Sequence, residues 1–245
     1  MKITILGSSG AVPIPKRAQS GILIQTSESK ILLDCGMAVP LRLKEAGLDA
    51  EEIDLICISH KHLDHIQDIP SLIKASWLRT NRAEYKIICH PGIKEFLKNY
   101  LNSCGELERA NLNFDLIDTG DTLNYEGFDI EAFKTQHSEN SLGFKVSQDS
   151  LEVLYTSDTA PSKVIKEKAY GAKLLIHELT FIESREDHTG LEDMIDLLSD
   201  INVDQVILTH FDAQVVEKID EIVKKIEKET GTSVTSAYDL QEIIL

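Results

Sequence analysis

Three imidazoles and a carboxylate fall within six consecutive positions of this 245-residue chain, His60-Lys61-His62-Leu63-Asp64-His65. The apolar run Leu55-Ile56-Cys57-Ile58-Ser59 leads straight into them. Imidazole nitrogen and carboxylate oxygen are the donors zinc takes when cysteine is absent. Alternation at a strand end can turn His60 and His62 to one side, and the turn that follows can present Asp64 and His65 to a second centre close by. The chain holds only 8 histidines, so three in one short segment argue for a built site over a chance polar loop.

Cysteine offers no competing site. Cys35, Cys57, Cys89 and Cys104 form no C-x-x-C pair. The first three sit in or at the end of apolar runs and read as buried small hydrophobes. Nothing calls for an oxidising compartment. The formal net charge of −16 repels phosphate backbones at long range and lowers the expectation of a broad nucleic-acid surface. No apolar stretch approaches the roughly 20 residues of a spanning helix. The start, Met1-Lys2-Ile3-Thr4-Ile5-Leu6-Gly7, breaks into a Gly/Ser loop too early for a signal peptide. The expected setting is cytoplasmic, away from membranes.

The elements that must position these residues alternate between strand and helix. Ile3–Leu6, Gly21–Gln25, Lys30–Asp34, Leu55–Ser59 and Tyr85–Cys89 read as strands. Val39–Ala46 and Pro70–Thr80 read as helices, and Pro91 opens another. From Leu112 to Tyr155 the chain is β-rich, broken by Asn124, Gly127 and Asp149 into an expected meander of hairpins. Strand Leu174–His177, a helix from about Leu191, strand Val203–Thr209 and an amphipathic helix over Val215–Glu229 follow. A last short strand is expected at Ser233–Ser236. No linker or repeat divides the chain, so residues 1–245 read as a single domain. This order fits two packed sheets with outer helices, or one doubly wound sheet.

H-x-H-x-D-H after an apolar strand resembles the metal motif of the metallo-β-lactamase superfamily. The resemblance implies an α/β fold, a four-layer αββα sandwich of two mixed β-sheets with outer helices. Four further segments match in the expected order: Leu33-Asp34-Cys35, Gln136-His137-Ser138, Ser157-Asp158-Thr159 and Thr209-His210-Phe211. Carried over residue by residue, one metal takes His60, His62 and His137, and the other takes Asp64, His65 and His210. Asp158 bridges them, and Asp34 braces the motif loop. The implied cofactor is a pair of Zn2+ ions about 3.5–4 Å apart with a bridging hydroxide. Mn2+ and Fe2+ suit the same donors. His62 stands where the diiron flavoprotein branch carries a carboxylate, which weighs against redox chemistry.

Two features narrow the branch. The opening loop Leu6–Ser20 is similar to that of ribonuclease Z, and His177-Glu178-Leu179-Thr180 resembles its H-E-A-T motif. His188-Thr189-Gly190 sits where that branch has H-S-T. The resemblance implies that His188 protonates the leaving oxygen of a phosphodiester and Glu178 orients it, so Asp64, Glu178 and His188 are assigned to catalysis. The ribonuclease arm that grips tRNA is expected between the lone histidine and the bridging aspartate, and the span from His137 to Asp158 is too short for it. The expected substrates are phosphodiesters such as a short RNA, a nucleotide or a cyclic phosphate. Lys16, Arg17 and Lys61 could offer a local phosphate contact. Hydrolysis of an ester, thioester or lactone, and metal binding without turnover, remain open alternatives. A homodimer is compatible with the resemblance.

Overall fold

The computed structural model of the chain describes residues 1–26, 28–81, 83–138 and 140–245. It resolves two compact units, Met1–Asp118 with Asp239–Leu245, and Thr119–Tyr238.

The first unit is built from β1 (Lys2–Gly7), β2 (Gly21–Gln25), β3 (Lys30–Leu33), α1 (Val39–Glu45), β4 (Leu55–Ile58), α2 (Leu63–Ile66), α3 (Ile69–Thr80), β5 (Glu84–Cys89), α4 (Pro91–Ser103) and β6 (Asn111–Leu116). β1 to β3 pair antiparallel, and β3 to β6 run parallel. Parallel neighbours need a crossover, and α1, α3 and α4 supply them. Leu55-Ile56-Cys57-Ile58 is buried throughout, as a parallel strand covered on both faces must be. The core gathers Leu32, Ile56, Ile73, Ile87 and Leu97.

The second unit is built from β7 (Thr122–Tyr125), β8 (Phe128–Lys134), β9 (Leu142–Gln148), β10 (Leu151–Tyr155), α5 (Lys163–Ala169), β11 (Leu174–Glu178), α6 (Leu191–Asp200), β12 (Gln205–Thr209), α7 (Ala213–Thr230) and β13 (Val234–Ser236). β7 to β10 form an antiparallel meander, and β10 to β13 run parallel. The chain then closes the first unit's sheet with β14 (Gln241–Ile244), antiparallel to β1. Each unit therefore holds one mixed sheet of seven strands. Among the described residues no helix is long and apolar enough to cross a membrane.

The strand and helix expectations stand to within a residue or two, with three differences. β6 pairs parallel with β5 and does not belong to the meander, because α4 returns the chain to the same end of the sheet. The turn after β7 is made by Glu126 and Gly127, both at positive φ, while Asn124 lies within the strand. Asp64 and His65 sit on the single helical turn α2 and not on an irregular turn.

Five of the residues assigned by motif lie at or just beyond the carboxyl end of a strand. Asp34 follows β3, His60 follows β4, Asp158 follows β10, Glu178 ends β11 and His210 follows β12. Parallel strands place these ends on one edge of their sheet, where open α/β sheets bind ligands. In the first unit the motif loop is held from behind by the segment after β3. Cys35 N donates to His65 O (2.7 Å) and Gly36 N to Ser20 O (2.9 Å). A β-carbon at Gly36 would lie 2.1 Å from Asp64 O and 2.8 Å from Gln19 Cβ, so only glycine lets the motif backbone come this close. Gly36→Ala should cost about 1–3 kcal/mol by overpacking, seen as a Tm lowered by roughly 2–4 °C per kcal/mol. An unchanged Tm would show that the loop yields freely.

Candidate metal centre

Each unit carries half of the assigned residues, and each half is organised by one buried carboxylate that is not itself an assigned ligand. In the first unit this is Asp34, fully buried and at φ 62, a left-handed conformation that aspartate tolerates better than most residues. Its Oδ1 accepts from Ser59 N (2.8 Å). Its Oδ2 accepts from Ser59 Oγ (2.7 Å) and from His65 Nδ1 (2.8 Å).

These bonds set the imidazole protons. A carboxylate only accepts, so His65 Nδ1 carries the hydrogen and Nε2 the lone pair. Ser59 Oγ spends its proton on Asp34 and therefore accepts from His60 Nδ1 (3.0 Å). His60 Nε2, 3.0 Å from His62 Nδ1, is then also a lone-pair nitrogen. Two zinc-bound nitrogens at about 2.0–2.1 Å and a tetrahedral angle lie roughly 3.4 Å apart, so the spacing suits two ligands of one ion. Asp64 Oδ2 is 3.7 Å from His65 Nε2.

In the second unit the organiser is Glu178, only 1% exposed. Oε1 accepts from His188 Nδ1 (2.8 Å), Thr189 N (3.1 Å) and Thr159 N (3.3 Å). Oε2 accepts from Thr180 N (2.8 Å) and Thr180 Oγ1 (2.7 Å). Thr180 Oγ1, its proton given to Glu178, accepts from His210 Nδ1 (2.8 Å). His137 Nδ1 donates to Asp187 O (3.0 Å). Both histidines thus turn a lone-pair Nε2 toward Asp158, His210 at 3.2 Å from Oδ1 and His137 at 3.7 Å from Oδ2. Acceptors facing a carboxylate this closely, with Asp158 only 3% exposed, repel unless a cation lies among them. The donor set therefore fits a metal ion, and the partners on Nδ1 are of the kind that orient metal-binding histidines.

His188 stands beside these groups, its ring 5.0 Å from that of His137 and 6.1 Å from that of His210. Burial opposes charge on His188, but the hydrogen bond and charge of Glu178, with Asp158 and Asp187, outweigh it and raise the pKa above the ordinary histidine value. His177 is different. Burial lowers its pKa, and its Nδ1 donates to Glu178 O (2.7 Å), so it is a neutral core residue. Burial pushes the Cys35 and Cys57 thiols up and the Cys89 thiol to about 12.

Ser59 and Thr180 fix imidazole protons through their hydroxyls, and Asp187 does so through its backbone carbonyl; the motifs do not single out any of the three. A hydroxyl two residues after a candidate orienting glutamate was the available signal for Thr180. Arg17 is drawn into the fold: its Nη1 donates to Ser8 Oγ (2.6 Å), and Ser8 Oγ donates to Asp239 Oδ1 (2.7 Å). Lys16 and Lys61 are exposed.

The sequence model of one family, described as anti-Pycsar protein Apyc1, matches residues 1–228. The chain belongs to that family. This Apyc1-family chain is also 24% identical to a ribonuclease Z of Ignicoccus hospitalis, over 87% of this chain and 88% of that protein. It is similar in structure to the metallo-β-lactamase fold protein YhfI of Bacillus subtilis, with TM-score 0.86, 24% identity and 99% and 98% of the two chains covered. The short form of human tRNase Z superposes with TM-score 0.77 at 22% identity, over 100% of this chain and 99% of that one. The fold is that of the metallo-β-lactamases, and the ribonuclease Z-like resemblance read from the motifs holds across the chain. The chain is a metal-dependent hydrolase of this kind.

Thr180 gives the sharpest local test. Thr180→Val keeps the volume but strips Oγ1 from both Glu178 and His210. Metal affinity should fall about 10–100-fold, as for other lost partners of metal-binding histidines, while Thr180→Ser stays near the parent. Zinc titration against a chromophoric chelator reads this directly. Equal affinity in Val and Ser variants would mean that His210 does not need its Nδ1 partner.

Proposed function

We propose that the two half-sites act together as one dinuclear centre, within one metallo-β-lactamase domain, that hydrolyses phosphodiesters of small size, cyclic nucleotides foremost. His60, His62 and His137 would hold one metal, Asp64, His65 and His210 the other, and Asp158 both. Zinc is the first choice for these donors, with Mn2+ and Fe2+ as alternatives. The observation that carries the reading is the Glu178–His188 pair set beside the lone-pair nitrogens that face Asp158. A non-catalytic metal store has no use for a buried carboxylate that favours the charged form of an imidazole.

When bound, the metal pair lowers the pKa of water to near neutrality and offsets the charge that develops on the phosphoryl oxygens. The chain's own part is proton delivery. Glu178 engages His188 Nδ1, which leaves Nε2 to hand its proton to the departing oxygen. The carboxylate then steadies the ring until it is recharged. Glu178 cannot be mistaken for a second base, because five donors already occupy its oxygens.

Small substrate size rests on the span between His137 and Asp158. It is occupied by the β9–β10 hairpin, whose register pairs Gln148 with Leu151, so a two-residue turn with Asp149 at φ 55 stands where an arm would emerge. The net charge of −16 also disfavours a long polyanion.

The deciding experiment compares a cyclic nucleotide, bis-p-nitrophenyl phosphate, a tRNA precursor, p-nitrophenyl acetate and a lactone on one zinc-loaded preparation. The small phosphodiesters should be cleaved and the activity lost on chelation. A faster ester or lactone, or a strong preference for the tRNA precursor, would overturn the reading. His188→Ala should lower kcat about 10²–10⁴-fold with metal content unchanged. The loss should be largest for a ribose leaving oxygen and smallest for p-nitrophenolate, which needs little protonation. Adding Glu178→Gln should make the variant little worse, since the two act as a unit.

A further inference from the structure

We propose that a cleft beside His188, walled by Phe181, Arg185, Gln214 and Lys218, receives the nucleobase of the substrate. The inference deepens the functional reading and rests on it in one respect: His188 protonates the ribose oxygen that is released from phosphorus, so the ribose that carries this oxygen, and the base attached to it, lie on the His188 side.

The cleft lies wholly within the second unit and has a volume of about 270 Å³, room for a purine or pyrimidine ring. One short loop makes both the cleft and the proton donor. Leu191 N donates to Ile182 O (2.9 Å) and closes the loop, and Arg185 N donates to His188 O (3.1 Å) inside it. Gly190 permits this folding, since a β-carbon there would lie 2.3 Å from Ser184 N. Any shift of His188 therefore moves Arg185 as well. The far wall comes from α7, whose Gln214 and Lys218 are one helical turn apart and share a face. Asp212 N donates to Thr180 O (3.1 Å), tying the start of that helix to the residue that bonds Glu178.

The lining is suited to a flat heteroaromatic ring. The Phe181 ring meets His188 edge-on at 5.3 Å, and the Arg185 guanidinium lies over Phe181 at 3.3 Å from its centroid. A guanidinium stacked in this way offers its other face to a base, a surface widely used for single nucleotides. In a chain of net charge −16, neither Arg185 nor Lys218 has a carboxylate within ion-pair distance among the described residues. Glu183 and Asp212 also line the cleft. Donors and acceptors thus both face the space, which matches the mixed edge of a nucleobase. A second phosphate would meet those two carboxylates and is disfavoured.

The test uses the zinc-loaded protein with a 3′,5′-cyclic nucleotide and the abasic ribose 3,5-cyclic phosphate. The parent should prefer the base-bearing substrate by about tenfold or more in kcat/KM, through KM. Arg185→Ala and Phe181→Leu should each cut that preference about tenfold, and Lys218→Ala by a smaller factor. Arg185 and Lys218 are exposed, so their variants remain informative if Phe181→Leu fails to fold. Saturation-transfer NMR on the base protons of a nucleoside monophosphate gives a second readout, independent of turnover. Base signals should saturate with the parent and fade in Arg185→Ala. A parent without preference for the base, or variants that keep it, would overturn the proposal. If the parent cleaves no phosphodiester, the functional reading fails, and the NMR arm alone decides whether the cleft binds a base.

Discussion

A histidine can hold a metal only through a nitrogen that carries a lone pair, and in this chain two buried carboxylates decide which nitrogen that is. Asp34 fixes His65 directly and His60 through Ser59. Glu178 fixes His210 through Thr180. Neither carboxylate is an assigned ligand, yet each is almost fully closed to water. An ionised carboxylate is costly to bury unless its oxygens are filled, and both are. Loss of either organiser would leave imidazole protons free to migrate, and the assigned donors would no longer be donors.

The constraint accounts for three of the places where the backbone is strained. Asp34, Ser157 and His210 adopt positive φ without being glycine, at a cost on the order of 1–3 kcal/mol each. Each is, or adjoins, a residue assigned by motif within its own unit. The strand ends before them supply the leverage: β3, β10 and β12 are buried where they end, so the bend falls on the first or second residue beyond the strand. The same logic unites the loop that carries His188 with the cleft beside it, since one set of hydrogen bonds holds both.

Much of this was legible in the sequence. Period and punctuation located β1 to β5 and α7 because buried parallel strands and an amphipathic helix leave strong patterns. The ligand-type residues stood out because histidine is scarce here and three crowd one loop. Less legible were the relations between residues remote in sequence. That β6 joins β5 in parallel depends on how α4 packs, which periodicity does not encode. Ser59, Thr180 and Asp187 act through one hydroxyl or one carbonyl each, and such groups are common to every loop. Arg17 of the opening loop is expected to offer a phosphate contact, but it is tied to Ser8 and, through Ser8, to Asp239, which lie at the two ends of the chain. Its burial could not be inferred from neighbours in sequence.

The fold sets the imidazole protons before any metal arrives. Long-range ¹H–¹⁵N correlation NMR of the metal-free protein, with histidine nitrogens labelled, measures this directly. His60, His65, His137 and His210 should appear as the Nδ1–H tautomer, with Nε2 at the chemical shift of a lone-pair nitrogen and moving on addition of zinc. Nε2–H tautomers at His65 or His210, or averaged signals that show both nitrogens sharing the proton, would contradict the claim that Asp34 and Glu178 organise the site.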